Sequence, residues 1–520
     1  MIKWKKHWIV EIEMPKRENV LQHVAIYIVC GLMLIFLAVL TSASFAGYWE
    51  MNTGNSMLEN VEYRSNDPLI VFPGLAVGIA LCYVVRRYLR QIPVHCFTSV
   101  LFVWITVLGC VWIFSALSAP TEDSYRVMKA AFDASNGDLS SVTIDYFRCF
   151  PFQLGYVLFS EGLMRLFCPE MNFLVLQVIN VLCLAVSYWA IISAMKYFAS
   201  DDARRITAVL LGCLFQPVLF CTFLYGNIPA FAFAMLAVLF HFKFLYSFKP
   251  LHGIATAVFI GIACALKLNC SIILVAMIIH TVFAGHGKMR IFFLRLGYVF
   301  LAAVMAVGIK GAAVRVYEVR SGENFGSGIP MICWAAMGLN ESYIAPGWYD
   351  PAYTVVNFSN NGGDGEKTSA VAVQAVKDRI SDFISDPGYA GRFFATKFTT
   401  QFNEPTYQSI WTNEVRGHYG EMNFLGRYVC GAGKDSVTGY MAALQRLVLT
   451  AAFLAAAMCI KDKNYGAMLL LLSVLGGIAY HMIFEAKSQY FETYFILLAA
   501  VGGYGLDRVF DLSDRRKKEC

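Results

Sequence analysis

The chain has 520 residues, of which 58% are hydrophobic and only 15% are charged. Soluble domains carry about 25% charged residues, so this composition excludes an ordinary soluble protein of two or three domains. The net charge of +6 is dispersed over short loops instead of being concentrated on one face, which favours a membrane protein and excludes a nucleic-acid partner.

Apolar runs occur along almost the whole chain. A bilayer core takes roughly 20 apolar residues per helix, and twelve runs approach that length. The sequence therefore predicts an all-α polytopic membrane protein with about twelve transmembrane helices. The predicted spans are Val24–Phe45, Leu69–Val85, Cys96–Leu117, Phe173–Met195, Ile206–Leu224, Ile228–Leu245, Ile254–Leu266, Ile272–Phe283, Ile291–Ile309, Met441–Ile460, Ala467–Ile483 and Tyr494–Leu506.

The distribution of lysine and arginine predicts the orientation of these spans. Basic residues cluster in alternate loops, from the N-terminal Lys3 and Lys5 to the tail Arg515 and Arg516, whereas the loops between them are acidic. Because positive loops stay on the cytoplasmic side, both termini are expected in the cytoplasm and the acidic loops outside. We expect a multi-pass protein of a bacterial plasma membrane, embedded in the lipid bilayer.

The segment Phe152–Phe167 is apolar but contains Glu161 and Arg165. Counting it as a span would invert every later loop, so a juxtamembrane helix at the outer interface is expected there. The predicted divisions are residues 1–118 with the first three spans, 119–170 as the first external, catalytic loop, 171–313 as the central bundle, 314–440 as a large external loop, and 441–520 with the last three spans and the basic tail.

The large external loop is predicted to be helical. Apolar residues from Val373 to Ile384 recur at helical spacing before Pro387, which favours a short amphipathic helix. A second helix is expected over Ala390–Phe402. Most connecting loops have about 4–6 residues, and one of this length usually has a function.

Glu122 and Asp123 open the first external loop, directly after a predicted span. Charged groups near the membrane are costly and often functional, and paired carboxylates are suited to act as a general base or as metal ligands. The alternative is helix capping, since acidic residues in a first turn stabilise the helix dipole. The pair leaves open whether a divalent Mg²⁺ or Mn²⁺ ion takes part, and it requires no cofactor.

Three short motifs follow these carboxylates. Phe150-Pro151-Phe152-Gln153 precedes the juxtamembrane helix, Ala265-Leu266-Lys267-Leu268-Asn269 ends a span, and Phe484-Glu485-Ala486-Lys487-Ser488-Gln489-Tyr490 lies between the last two spans. This order resembles the GT-C superfamily of membrane glycosyltransferases, especially bacterial relatives of dolichyl-phosphate-mannose-protein mannosyltransferases and aminoarabinose transferases. In that family an acidic residue opens the first external loop. The sequence departs from the pattern at Gln489, where many relatives have arginine.

The resemblance implies transfer of a sugar from a polyprenyl-phosphate donor to an acceptor hydroxyl at the outer face, with inversion at the anomeric carbon. Asp123 would accept the hydroxyl proton, with Glu122 assisting. The residues expected to stabilise the leaving phosphate are Lys267 first, and then Lys487, Lys397 and Arg148. The residues expected to position donor or acceptor are Tyr146, Pro151, Gln153, Glu485 and Tyr490.

Other functions share this topology. A secondary transporter or flippase would have inverted repeats and charges near the bilayer midplane, whereas the charges here lie near the outer edge. A scaffold would tolerate loss of Asp123, and an envelope-polymer ligase would use a diphosphate-linked glycan. The acceptor, whether protein, lipid, wall polymer or growing glycan, has no sequence signature.

Overall fold

The computed structural model describes residues 20–51, 59–167, 171–284 and 289–519. These residues form helices and one antiparallel hairpin of β1 (Gly47–Met51) and β2 (Val61–Ser65), in which Gly47 pairs with Ser65. The predicted cytoplasmic N-terminal segment lies outside the described residues. The helices are α1 (Val20–Ala46), α2 (Pro68–Tyr88), α3 (Val94–Ala116), α4 (Glu122–Ser135), α5 (Asp145–Cys149), α6 (Leu154–Phe167), α7 (Phe173–Met195), α8 (Asp201–Gly212), α9 (Gln216–Leu219), α10 (Asn227–Ser247), α11 (Pro250–Leu266), α12 (Cys270–Val282), α13 (Met289–Ser321), α14 (Met331–Gly338), α15 (Val355–Asn360), α16 (Gly365–Ser385), α17 (Pro387–Phe402), α18 (Ser409–Val415), α19 (Phe424–Arg427), α20 (Lys434–Asp462), α21 (Tyr465–Ile483) and α22 (Glu492–Glu519).

Eight helices of the described residues are long and apolar enough to cross a membrane, namely α1, α2, α3, α7, α10, α13, α20 and α21. A ninth span results if α8 and the segment Gln216–Thr222, which meet at a bend of 48°, are counted together. The prediction of a helical, polytopic membrane protein is therefore confirmed.

The structure does not support the predicted count of twelve spans. Three predicted spans lie in helices with short apolar parts: α11 has 17 residues, α12 has 13, and the apolar part of α22 ends before Asp507. At 1.5 Å per residue, α11 and α12 reach about 26 and 20 Å, less than the hydrocarbon thickness of about 30 Å.

The loops predicted to be cytoplasmic meet at one end of the bundle. Arg86, at the end of α2, pairs with Asp507 of α22 at 2.9 Å, and Ser200 before α8 donates to the same carboxylate at 2.7 Å. Nearby, Arg508 pairs with Asp462 at the end of α20. These contacts bring three predicted cytoplasmic loops and the C-terminal helix together.

The segment between α3 and α7 forms three helices, α4 to α6. The last of these, α6, has 14 residues and reaches about 21 Å, which is too short to span a bilayer. Its buried Glu161 accepts hydrogen bonds from Arg320, at 2.8 and 2.9 Å, and from Tyr317 at 2.6 Å. These bonds fasten α6 to the end of α13.

Both helices predicted in the large loop are present. The helix predicted from Val373 to Ile384 lies within α16. The second helix, α17, begins at Pro387, three residues before the predicted start, because Asp386 caps it by accepting the backbone N–H of Tyr389 at 2.8 Å.

A buried polar segment, residues 403–413, follows α17 and enters the bundle. The carboxylate of Glu404 accepts the backbone N–H of Thr406 at 2.9 Å and that of Gln408 at 2.7 Å, and it accepts the hydroxyl of Ser488 at 3.0 Å. Such irregular backbone needs internal partners wherever the surroundings are apolar. The segment ties the large loop to the turn before α22.

Candidate functional site

A cavity of about 2130 Å³ lies at the end of the bundle opposite the contacts of Arg86 and Asp507. Both predicted external loops contribute to its wall, together with the turn between α11 and α12 and the turn between α21 and α22. Of the sequence-predicted site residues, the lining includes Glu122, Asp123, Tyr146, Pro151, Gln153, Lys267, Glu485, Lys487 and Tyr490.

Asp123 lies in the first turn of α4 and faces the cavity. Its carboxylate accepts a hydrogen bond from the hydroxyl of Tyr225 at 3.5 Å, and the guanidinium of Arg126 lies 3.8 Å from it. About half of the side chain, 52%, is exposed to the cavity, yet protein surrounds it on the remaining sides. This burial raises the pKa of Asp123; the neighbouring Glu122 adds to the effect and Arg126 opposes it.

Glu122, beside this aspartate, has a backbone φ of +49°. Residues other than glycine rarely adopt this left-handed conformation, and strain of this kind is common at functional sites. The neighbouring Thr121 and Ser124 form a capping box that fixes the start of α4. The carboxylates therefore open a well-ordered helix, and the strained residue is one of the two candidates.

Lys267 occupies the turn after α11. Its ammonium lies 4.2 Å from the centre of the Tyr225 ring, and no carboxylate among the described residues forms an ion pair with it. Burial lowers the pKa of Lys267 to about 8, whereas nearby carboxylates including Glu485 raise it. Lys267 thus lies near carboxylates without being directly paired to one among the described residues.

Close backbone contacts hold Lys267 and Tyr225 together. A Cβ at Gly155, at the start of α6, would lie 2.0 Å from the carbonyl oxygen of Ala265, so only glycine allows α6 to approach the end of α11. Gly226 has φ +83°, and a Cβ there would lie 2.7 Å from the carbonyl oxygen of Leu266. These two glycines fix the turns that carry the cation and the tyrosine.

The predicted Pro motif forms a short 3₁₀ turn, Pro151–Gln153, before α6. Pro151 is buried against Gly328 of the large loop, and Gln153 is only 4% exposed. Tyr146, one turn earlier, shares a hydrogen bond of 3.0 Å with the hydroxyl of Tyr225. The motif therefore joins the two external loops at the cavity wall.

The late motif lies on the opposite wall. Tyr490 donates a hydrogen bond to Glu485 at 3.0 Å, and burial raises the pKa of Glu485 to about 7. Lys487 forms an ion pair with Glu59, which follows the loop of the hairpin. Burial lowers the pKa of Lys487, but Glu59 and Glu485 outweigh it and raise the value. Since Glu59 neutralises Lys487, this lysine has less capacity than Lys267 to bind a further anion.

Two predicted phosphate ligands lie outside the cavity lining. Lys397, on α17, is fully buried, and its ammonium donates to the carbonyl oxygens of Gly338, Met482 and Phe484. Arg148 points to Glu323, at 3.0 Å. Helical periodicity placed Lys397 on a helix but does not show which face of the helix packs against protein. Arg148 forms an ion pair with Glu323 instead of facing the cavity.

Sequence reasoning missed Arg416 and Trp411, which come from the segment after residue 403. The guanidinium of Arg416 lies 4.3 Å from the centre of the Phe223 ring, and Nη1 donates to Ser124 at 2.8 Å. Burial lowers the pKa of Arg416 to about 10. No motif surrounds these residues in the sequence, and only the fold brings them to Asp123.

Metal binding was left open by the sequence. Among the described residues, no group of three or more histidine, cysteine, aspartate or glutamate side chains is arranged to hold a metal ion. The adjacent carboxylates of Glu122 and Asp123 are the nearest approach to a ligand set at the cavity. Metal dependence stays an open property of the site.

Comparison with known proteins adds no family assignment. No protein-family model matches the chain. No curated protein is significantly similar to it. The resemblance to the GT-C superfamily therefore stays a prediction from short motifs.

Proposed function

We propose that this protein is an integral membrane glycosyltransferase that moves a sugar from a polyprenyl phosphate to an acceptor hydroxyl. The observation that carries the proposal is the arrangement around Tyr225. Its ring supports the unpaired ammonium of Lys267 at 4.2 Å, and its hydroxyl contacts the carboxylate of Asp123 at 3.5 Å. One cavity thus offers a cation for a leaving phosphate and, beside it, a base for an incoming hydroxyl.

The lipid part of the donor has an apolar wall available to it. Val314 of α13 and Met331 and Trp334 of α14 line the cavity, and Met331 is 47% exposed. Few residues of α13 are buried inside the protein, as expected for a helix that faces lipid. A polyprenyl chain can therefore remain between α13 and α14 while its phosphate reaches Lys267.

The proposed reaction is a direct displacement at the anomeric carbon. The acceptor oxygen forms a bond to that carbon while the bond between the carbon and the phosphate oxygen breaks, and the leaving phosphate keeps the electron pair. Asp123 accepts the hydroxyl proton, for which its raised pKa is suited. Lys267 stabilises the charge that develops on the phosphate. Glu122, the neighbouring carboxylate at the start of α4, assists by helping to raise the pKa of Asp123.

We also propose how the short helices fit a bilayer. If α11, α12 and α22 complete twelve spans, the turn between α11 and α12 lies below the membrane surface, because α11 and α12 are shorter than the hydrocarbon core. Lys267 would then meet the donor phosphate just beneath the headgroup layer, at the outer edge of the hydrocarbon core. The cavity would then face the outside of a plasma membrane, and the C-terminus would lie in the cytoplasm. A fluorescent reporter fused to the C-terminus, with a quencher added to one side of the membrane, tests this orientation.

The direct test is a transfer assay with purified protein in nanodiscs. Radiolabelled polyprenyl-phosphate hexoses serve as donors and membrane extract as the source of acceptors. Asp123→Asn is expected to lower the rate at least about 100-fold, the usual contribution of a general base, whereas Asp378→Asn, an exposed change on α16, leaves it unchanged.

Equal rates for wild type and Asp123→Asn would show that Asp123 only caps α4. Transfer from polyprenyl-diphosphate-linked sugars alone would favour the ligase. Failure to bind polyprenyl phosphate, together with no transfer from any donor, would contradict the transferase.

A further inference from the structure

A second cationic position lies beside Asp123, separate from that of Lys267. The rings of Phe223 and Tyr225 are adjacent, with centres 5.5 Å apart, and each supports one cation. Lys267 lies over Tyr225 and Arg416 lies over Phe223. The two cations therefore occupy neighbouring but different positions on one wall of the cavity.

Arg416 has hydrogen-bonding capacity that the protein does not use. Nη1 donates to Ser124, but the buried Nε has no partner among the described residues, and no carboxylate there forms an ion pair with the guanidinium. A buried donor without an acceptor is energetically unfavourable. Because Arg416 lines the cavity, a small movement of its side chain would let an oxygen-rich ligand accept this N–H.

Trp411, on the short helix α18 that ends directly before Arg416, supplies a second unused donor. Its side chain lines the cavity and is 8% exposed, and its indole Nε1–H has no hydrogen-bond partner among the described residues. Arg416 and Trp411 thus both line the cavity, and each has one buried N–H donor without a partner among the described residues. Indole and guanidinium N–H groups can only donate, so their common ligand must supply acceptor oxygens.

The position of Arg416 relative to Asp123 indicates which substrate it meets. Ser124, the hydrogen-bond partner of Arg416, is the next residue after Asp123, whereas Lys267 approaches Asp123 by way of Tyr225. In an inverting displacement the attacking hydroxyl and the leaving phosphate lie on opposite faces of the sugar. Because Asp123 is the proposed acceptor of the hydroxyl proton, a cation held at Ser124 lies beside the acceptor hydroxyl.

We propose that Arg416 and Trp411 form an acceptor subsite for an anionic group, so that the acceptor is a hydroxylated compound with a carboxylate or phosphate near its nucleophilic hydroxyl. The assignment of this subsite to the acceptor rests on the proposed transferase function. Binding of an anion to the subsite can be measured without turnover. Arginine suits this role because its planar donors match carboxylate and phosphate oxygens.

The test is a ligand-observed NMR titration of the full-length protein in phosphatidylcholine nanodiscs. The probes are glucuronate, glycerol 1-phosphate and, as the neutral control, glucose. Wild type is expected to bind at least one anionic probe about tenfold more tightly than glucose. Because Lys267 can itself bind an anion, the effect of Arg416 is measured in a Lys267→Gln background. Lys267→Gln is expected to keep the preference, also when combined with Arg148→Gln, a matched change outside the cavity lining, whereas combination with Arg416→Gln removes it.

Preference for glycerol 1-phosphate alone would assign a phosphate-bearing acceptor, and preference for glucuronate alone an acidic sugar; both support the subsite. The subsite is contradicted if wild type shows no anion preference, if the double variant Lys267→Gln/Arg416→Gln retains it, or if Lys267→Gln alone loses it. Should Arg416→Gln fail to fold, Trp411→Phe, which removes one donor, is expected to weaken anion binding about threefold without changing glucose binding. Unchanged anion binding in that variant would equally overturn the proposal.

Polyprenyl-phosphate binding, measured separately with wild type and Lys267→Gln, distinguishes the two levels of the argument. Its absence contradicts the proposed transferase and leaves the result for Arg416 interpretable as an anion site. If polyprenyl phosphate binds but the change of Arg416 has no effect on anion binding, only the acceptor subsite is contradicted.

Discussion

Asp123 has neighbours with opposite effects on its acidity. Burial and Glu122 raise its pKa, and the guanidinium of Arg126, 3.8 Å away, lowers it. A general base must be ionised, so the rate should fall as the pH decreases through the pKa of this carboxyl. The acidic limb is therefore expected above the ordinary range of aspartate, and its position depends on Arg126.

Arg126→Gln is expected to shift the acidic limb of kcat/KM to higher pH, because the removed positive charge had favoured the ionised carboxylate. The measurement is the pH profile of transfer for wild type and variant. Arg165→Gln, which changes an arginine on α6 paired with Glu161, serves as the control. A limb that stays in place or moves to lower pH would show that Asp123 is not the titrating base.

At the scale of helices and loops, Lys397 stabilises the elements that carry the late motif. Its ammonium joins Gly338 at the end of α14 to Met482 and Phe484 at the end of α21, directly before the late motif. The role is structural, because the ammonium donates to three buried carbonyl oxygens that would otherwise lack hydrogen-bond donors. The position of Glu485 and Lys487 depends on these bonds.

Lys397→Met is expected to destabilise the protein by about 3 kcal/mol, since the buried carbonyls lose a charged donor. Thermal unfolding in detergent, followed by tryptophan fluorescence, would show a lower midpoint than wild type. Lys377→Met, an exposed change on α16, should leave the midpoint unchanged. Equal midpoints for both variants would contradict the structural role.

Elements with a local physical cause could be predicted from sequence. Eleven of the twelve predicted apolar runs each coincide with one helix because hydropathy acts residue by residue, whereas Ile206–Leu224 is divided at the bend after α8. The start of α17 differed only through its cap at Asp386. Asp123 could be named as a candidate site residue because it is charged and directly follows a predicted span. Arg416 could not, because its approach to Ser124 joins residues 292 positions apart through the buried segment after α17.

At the scale of the whole molecule, two sets of loops occupy opposite ends of one helical bundle. The basic loops meet around Asp507, and the carboxylate-bearing loops surround the cavity. The wall of the cavity continues onto α13, a helix with the exposure and hydropathy of a lipid-facing span. This arrangement places the polar cavity beside an apolar helix surface, as the proposed lipid-linked donor requires.

The most direct test of this account is a cryo-EM structure of the protein in nanodiscs with bound polyprenyl phosphate. We expect the phosphate within hydrogen-bonding distance of the Lys267 ammonium and the lipid chain between α13 and α14. The turn between α11 and α12 is expected just beneath the headgroup layer of the nanodisc. Phosphate density away from Lys267, or a lipid chain that does not enter the cavity beside Asp123, would contradict the proposed transferase.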